Sequence, residues 1–197
     1  MKTNSLNIRD ERIDSVKYCL MLLVIIGHIF GNNVFSTSAE YILNDWIYMF
    51  HMPLFIFISG YFSRKKDKEY FLISCWKLIE PLIIFQLLIR GLDFIITGKF
   101  SLTEIFTPWW VLWYLLSLIY WRIMLQILPN KILSNTKLFI TLAFLVSLFA
   151  GFIPVNRFLS LQRTFAFMPF FLWDIVYVHK IYLYFQSINM GAYYFCY

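Results

Sequence analysis

Two histidines, one acidic residue and two basic ones stand where their types and spacing allow acid–base chemistry. His28 closes the stretch RIDSVKYCLMLLVIIGH (12–28), which opens with Arg12, Asp14 and Lys17 and then turns apolar. On a helix, residues eleven apart lie about 20° from three full turns, so Lys17 and His28 share a face, roughly 16 Å apart along the axis. Asp14 falls about 40° from the same line and Arg12 about 160°, nearly opposite. One helical wall then carries an acid–base pair at its entrance and an imidazole deep inside. His51, in IYMFHMPLFIFISGYFS, lies two residues before Pro53. Histidine titrates near neutral pH, and a general base has to reach the proton it removes. A base at depth behind a cationic entrance suits chemistry that joins two compartments. Plainer readings stand beside this one. A lone membrane histidine also serves as hydrogen-bonding glue, Lys17 can simply snorkel to an interface, and His51 can support the kink at Pro53.

The elements that position these residues are apolar helices. The chain has 197 residues, 60% hydrophobic and 21% aromatic, with 14% charged, against roughly a quarter charged in soluble domains. Several apolar runs approach the roughly 20 residues that a membrane helix needs. The pattern predicts an all-α polytopic transmembrane bundle of about six spans, at 14–33, 43–62, 70–96, 108–128, 137–153 and 165–186. Lys77, Glu80, Pro81, Arg90 and Asp93 interrupt the third; Lys77 with Glu80 and Arg90 with Asp93 are i,i+3 neighbours that can neutralise each other. Ser59-Gly60 is a small pair suited to close helix approach. The tryptophans of PWWVLWYLLSLIYWR fit an aromatic belt.

Loop charge sets the orientation. Lys2, Arg9, Arg12 and Lys17 precede the first span, Arg64, Lys65, Lys66 and Lys68 follow the second, and Lys131 and Lys137 follow the fourth. The positive-inside rule then places the N-terminus in the cytoplasm of a multi-pass plasma-membrane protein. Arg157 and Arg163 oppose the rule on the outer side, which invites a functional reading of them. The net charge of +6 is spent at helix ends, so it argues for no nucleic-acid partner. Cys19, Cys75, Cys196 and the three histidines show no metal-ligand spacing, so no metal is expected.

Four stretches, RIDSVKYCLMLLVIIGH (12–28), FHMPLFIFISGYF (50–62), LWYLLSLIYWR (112–122) and RTFAFMPFF (163–171), resemble the acyltransferase family 3 membrane proteins. That family's basic residue, ten intervening residues and histidine fall on Lys17 and His28. The resemblance implies an O-acyltransferase that moves an acyl group, usually acetyl, from cytoplasmic acyl-CoA to a hydroxyl of a cell-surface or lipid-linked carbohydrate. It implies Lys17 and Arg12 as contacts to acyl-CoA and His28 as general base. Asp14 would orient Lys17, His51 would assist in proton transfer or hold the acyl group, and Arg163 would contact the carbohydrate. The expected partners are lipid, acyl-CoA and the acceptor sugar; protein partners are not indicated.

Family members run to about ten spans, so the resemblance covers a front portion. After MPFF the family continues with Gly-Tyr, whereas this chain reads FLWDIVYVHK. With TTA for Leu172 and GAT for Asp174, a shifted frame reads Met-Gly-Tyr. The domain is therefore expected to cover 1–172, with 173–197 a frameshift-derived tail holding six of the thirteen tyrosines and the truncated chain inactive; a natural short variant is the alternative. From another class, a non-enzymatic membrane subunit or polysaccharide exporter would use the same buried charges as a substrate path.

Overall fold

The structure, a computed structural model, describes residues 11–30, 38–63, 65, 67–99, 101–109, 111–129, 135–152 and 158–178. Within them the regular structure is helical: α1 (Glu11–Phe30), α2 (Ser38–Tyr61), α3 (Lys68–Thr97), the single turn α4 (Leu102–Ile105), α5 (Leu112–Ile127), α6 (Thr136–Phe152) and α7 (Leu161–Trp173). A 3-10 turn, Phe158–Ser160, leads into α7, and a π turn, Asp174–Val178, follows it. The long helices fall on the expected apolar segments, with ends a few residues away from those expected. The segment expected as the sixth span carries α7 and the π turn; its remainder, 179–186, lies outside the described residues, as do Arg157 and Lys131. Two helices are long and apolar enough to cross a membrane, Ala39–Tyr61 and Lys68–Thr97, and their apolar windows are only 18% and 11% buried. Helices α5 and α6 are apolar but shorter.

The chain divides into two compact units, Met1–Ile58 and Ser59–Tyr197. In the first, α1 and most of α2 make a hairpin. Its residues Leu20, Ile47 and Ile56 are buried. Gly27 marks a close approach of the two helices: a Cβ there would lie 3.2 Å from Ile47 Cγ2 and 3.5 Å from Tyr48 Cε2. Pro53 lacks an N–H and leaves the Met49 carbonyl without its usual partner, yet α2 continues through it.

The second unit is built on α5, whose face Trp113, Ser117, Trp121 and Leu125 repeats at every fourth residue and is buried. It meets α7. Trp121 stacks on Phe171 with ring centroids 5.1 Å apart and donates its indole N–H to the Thr164 carbonyl at 3.0 Å. Thr164 Oγ1 donates to the Ser160 carbonyl at 2.9 Å, so the Ser117 hydroxyl, 2.7 Å away, donates to Thr164 Oγ1. The tryptophans expected in an aromatic belt are thus divided. Trp113 and Trp121 are core residues, because small Ser117 between them lets α7 close over both. Trp110 lies outside the described residues.

Residues 101–109 form a strap that folds back along α3. Gln86 Nε2 donates to the carbonyls of Glu104 (3.2 Å), Ile105 (3.1 Å) and Thr107 (2.9 Å), and its Oε1 accepts the Trp109 N–H at 3.1 Å. One turn further, Arg90 pairs with Glu104 at 3.1 Å and lies 4.8 Å over the Trp109 ring. The expected Arg90–Asp93 pair is present at 3.9 Å, but Glu104 is the nearer partner because the strap brings a carboxylate directly to the guanidinium. Among the described residues Lys77 and Glu80 form no ion pair; both side chains are exposed.

The Ser59-Gly60 pair does allow close approach. A Cβ on Gly60 would stand 2.4 Å from the Phe171 carbonyl oxygen and 3.3 Å from Asp174 Cβ. The turn before α7 is held in a conformation that side chains disfavour, with φ of 50° at Leu159 and 52° at Ser160. The Leu159 N–H bond to the Phe106 carbonyl, at 3.0 Å, fastens it to the strap.

Candidate active site

In the first unit the hairpin brings both expected histidines to one tyrosine. Residues 27 and 28 of α1 lie against residues 47 and 48 of α2, and 48 and 51 share a face one turn apart. The Tyr48 hydroxyl is 3.0 Å from His28 Nδ1. The His28 and Tyr48 rings meet edge to face at 5.8 Å and 80°, and the Tyr48 and His51 rings at 5.1 Å and 78°. His51 is 1% exposed, whereas Tyr48 is 38% exposed and His28 is half-buried. His51 Nδ1 donates to the Ile47 carbonyl at 2.5 Å. A carbonyl only accepts, so neutral His51 carries its proton on Nδ1 and keeps its lone pair on Nε2. His28 and His51 therefore form a half-open acid–base cluster that a second molecule could reach from the His28 side.

Tyr48 was absent from the expected site. Its residue type gave no signal among thirteen tyrosines. Its position did, because Tyr48 and His51 share a helical face and Gly27, next to His28, is the natural place for a partner helix to come close.

The entrance residues lie on α1, three turns from His28. Lys17 Nζ is 3.9 Å from an Asp14 oxygen, and both side chains are partly exposed. The i,i+3 spacing on the helix produces this pair. Arg12 belongs to α1, but its side chain lies outside the described residues. The uninterrupted helix from 11 to 30 keeps Lys17 and His28 on one wall, as the helical spacing requires.

In the second unit Arg163 is exposed on the first turn of α7, its guanidinium 5.5 Å over the Trp113 ring. Phe167, one turn later, packs on the same indole at 5.4 Å. A separate open cleft of about 540 Å³ is lined by Lys65, Asp67, Tyr70 and Gln126. Lys65 Nζ donates to the Leu128 carbonyl at the end of α5, where the helix leaves carbonyls unpaired and its dipole favours a cation. Among the described residues no three His, Cys, Asp or Glu side chains converge as a metal site would need.

Comparison with known proteins bears on the family. The nodulation protein NolL of Mesorhizobium japonicum is 33% identical over 124 residues, covering 54% of this chain and 33% of that protein. The nodulation protein NolL of Sinorhizobium fredii is 42% identical over 60 residues, covering 29% of this chain and 16% of that protein. The chain thus spans a third or less of the length of these curated relatives. No solved structure matches. The family model described as an acyltransferase domain matches residues 10–196, which takes in the hairpin, the strap, the α5–α7 core and the tail beyond Leu172. The chain belongs to this acyltransferase family.

Proposed function

We propose that this chain is part of a multi-pass membrane O-acyltransferase that moves an acyl group, acetyl by first choice, from cytoplasmic acyl-CoA to a hydroxyl of a cell-surface or lipid-linked carbohydrate. The observation that carries the reading is the His28–Tyr48–His51 cluster, placed by a close helical hairpin in a chain of the acyltransferase family. The membrane setting is supported by α3, a 30-residue apolar helix that leaves Ile83, Ile84, Phe85, Leu87, Leu88, Leu92, Phe94, Ile95 and Ile96 uncovered. In water, exposed apolar surface on that scale is unfavourable at roughly 25 cal/mol per Å²; in lipid the penalty disappears. The N-terminus is assigned to the cytoplasm by the basic loops.

The chemistry follows from the groups present. Acyl-CoA enters from the cytoplasm, with its phosphates near the basic helix ends. Lys17, steadied by Asp14, is one contact and Arg12 a second. The thioester reaches the level of His28, whose distance from Lys17 along α1 is roughly 16 Å. The acceptor hydroxyl arrives from the outer side. His28 Nε2 takes its proton as the oxygen attacks the thioester carbonyl. The tetrahedral intermediate collapses by breaking the C–S bond, and the imidazolium returns the proton to the thiolate, leaving an ester and free CoA. His51, deeper and fully buried, assists as a second imidazole or holds the acyl group. Arg163 offers hydrogen-bond donors to the carbohydrate, with Trp113 fixing its guanidinium.

The test uses membranes with and without the gene, radiolabelled acetyl-CoA and extracted surface glycan. Gene-dependent label in the glycan, lost in His28→Ala, is the expected result. Label retained at the wild-type rate in His28→Ala removes the base from this scheme. Glycan export without label would favour a transport subunit. Sequencing the DNA beyond residue 197 in all frames addresses the tail separately, and family-like spans in another frame would support its origin by frameshift.

A further inference from the structure

Tyr48 is the group that the acyl-transfer scheme leaves without a role. It is the element common to both imidazoles: its hydroxyl lies 3.0 Å from His28 Nδ1, and its ring is edge-on to His28 and to His51. The backbone is arranged around this contact. A Cβ at Gly27 would press on Ile47 and touch Tyr48, so the glycine lets α1 come near enough for His28 to reach the phenol. His51 is fixed from its own side by the Ile47 carbonyl and does not compete for the Tyr48 hydroxyl.

We infer that Tyr48 is a positioning residue for His28, with the phenol oxygen accepting the Nδ1–H so that Nε2 is the nitrogen that takes the proton. This rests on the acyl-transfer reading above. The partner at one ring nitrogen sets which tautomer the imidazole adopts and how the ring is turned. When Nε2 gains the acceptor's proton, the ring carries two N–H groups and a positive charge, and the bond to the phenol oxygen becomes charge-assisted. The contact therefore strengthens as the reaction proceeds, which is the condition for raising the rate rather than only the affinity. A neutral oxygen does this without the heavy desolvation penalty of burying a carboxylate in an apolar hairpin.

Two measurements on the full chain in native membranes or nanodiscs decide the matter. In acetyl transfer from acetyl-CoA to surface glycan, Tyr48→Phe keeps the ring but loses the oxygen. It should lower kcat on the order of 10-fold, a share of the roughly 10²–10⁴ that a placed acid–base group supplies, with KM for acetyl-CoA unchanged. A purely packing role predicts no such split. With ¹⁵N-histidine labelling, and His28 assigned by the His28→Ala spectrum, wild-type His28 should be protonated at Nδ1, and Tyr48→Phe should move the proton to Nε2. The second measurement needs no turnover. An unchanged kcat in Tyr48→Phe alongside loss of transfer in His28→Ala overturns the role of Tyr48 alone. Nε2–H at wild-type His28 overturns it as well. Full transfer in His28→Ala removes His28 as the base and the role of Tyr48 with it, whereas no gene-dependent transfer in the wild type overturns the acyl-transfer reading.

Discussion

Replacing Gly60 by alanine should unseat α7. The added Cβ would stand 2.4 Å from the Phe171 carbonyl oxygen, with Asp174 Cβ at 3.3 Å. Ordinary carbon–oxygen contact needs roughly 3.3 Å, so α2 and α7 must separate by about 1 Å at this point. The obstructing atom is backbone, and Phe171 and Leu172 beside it are fully buried, so no flexible side chain can absorb the shift. Overpacking of this kind costs about 1–3 kcal/mol. Alanine recovers up to about 1 kcal/mol through its helix propensity, which leaves a net loss of about 1–2 kcal/mol. For a chain of this length that lowers the unfolding midpoint by about 2–8 °C. Gly91 is the matched control, since it also lies within a helix and a Cβ there meets nothing within 4 Å; Gly91→Ala should be neutral or stabilising. The assay is tryptophan-fluorescence thermal unfolding of both variants in one detergent, because Trp121 stacked on Phe171 reports on α7 directly. A Gly60→Ala midpoint equal to that of Gly91→Ala would refute the close approach.

Gln86→Leu removes the amide that holds four backbone groups of the strap, so limited proteolysis should cut within 101–109 faster than in wild type by about tenfold or more, as one to two kcal/mol of local stability is lost; an unchanged cleavage rate contradicts the clamp. Thr164→Val strands the buried Ser117 hydroxyl and should cost about 1–3 kcal/mol by chemical denaturation. Adding Ser117→Ala should recover part of that loss, and simple additivity of the two changes would show that the hydroxyls do not act as a pair.

Much of the fold was legible because apolar runs bounded by charged loops leave few choices. The third span, expected at 70–96, is the helix Lys68–Thr97, with Asp67 before it and Gly98 in a left-handed conformation closing it. The strap was not legible. A single turn such as Leu102–Ile105 has no period to detect, and Gln86, whose contacts hold it, is one neutral amide in an otherwise apolar helix. In the candidate site, the shared wall of Lys17 and His28 and the Asp14 pair followed from helical spacing alone. The meeting of His28 with His51 required the register between two helices. That register is set by Gly27 against Ile47, a packing contact that no single helix encodes. Trp113 and Trp121 look like any interfacial tryptophans until the small Ser117 between them is matched to Thr164 on another helix.

The strap has a consequence for the surrounding lipid. The strap returns along α3 before α5 begins, and among the described residues α5 and α6 have 16 and 17 residues. At 1.5 Å per residue they reach roughly 24–26 Å, short of a hydrocarbon core of roughly 30 Å, while the 30 residues of α3 exceed it. In the membrane reading proposed above, the bilayer meets helices of unequal length. Hydrophobic mismatch then thins the leaflets beside α5 and α6. In that reading lipid chain length becomes a variable to which the stability of the bundle responds.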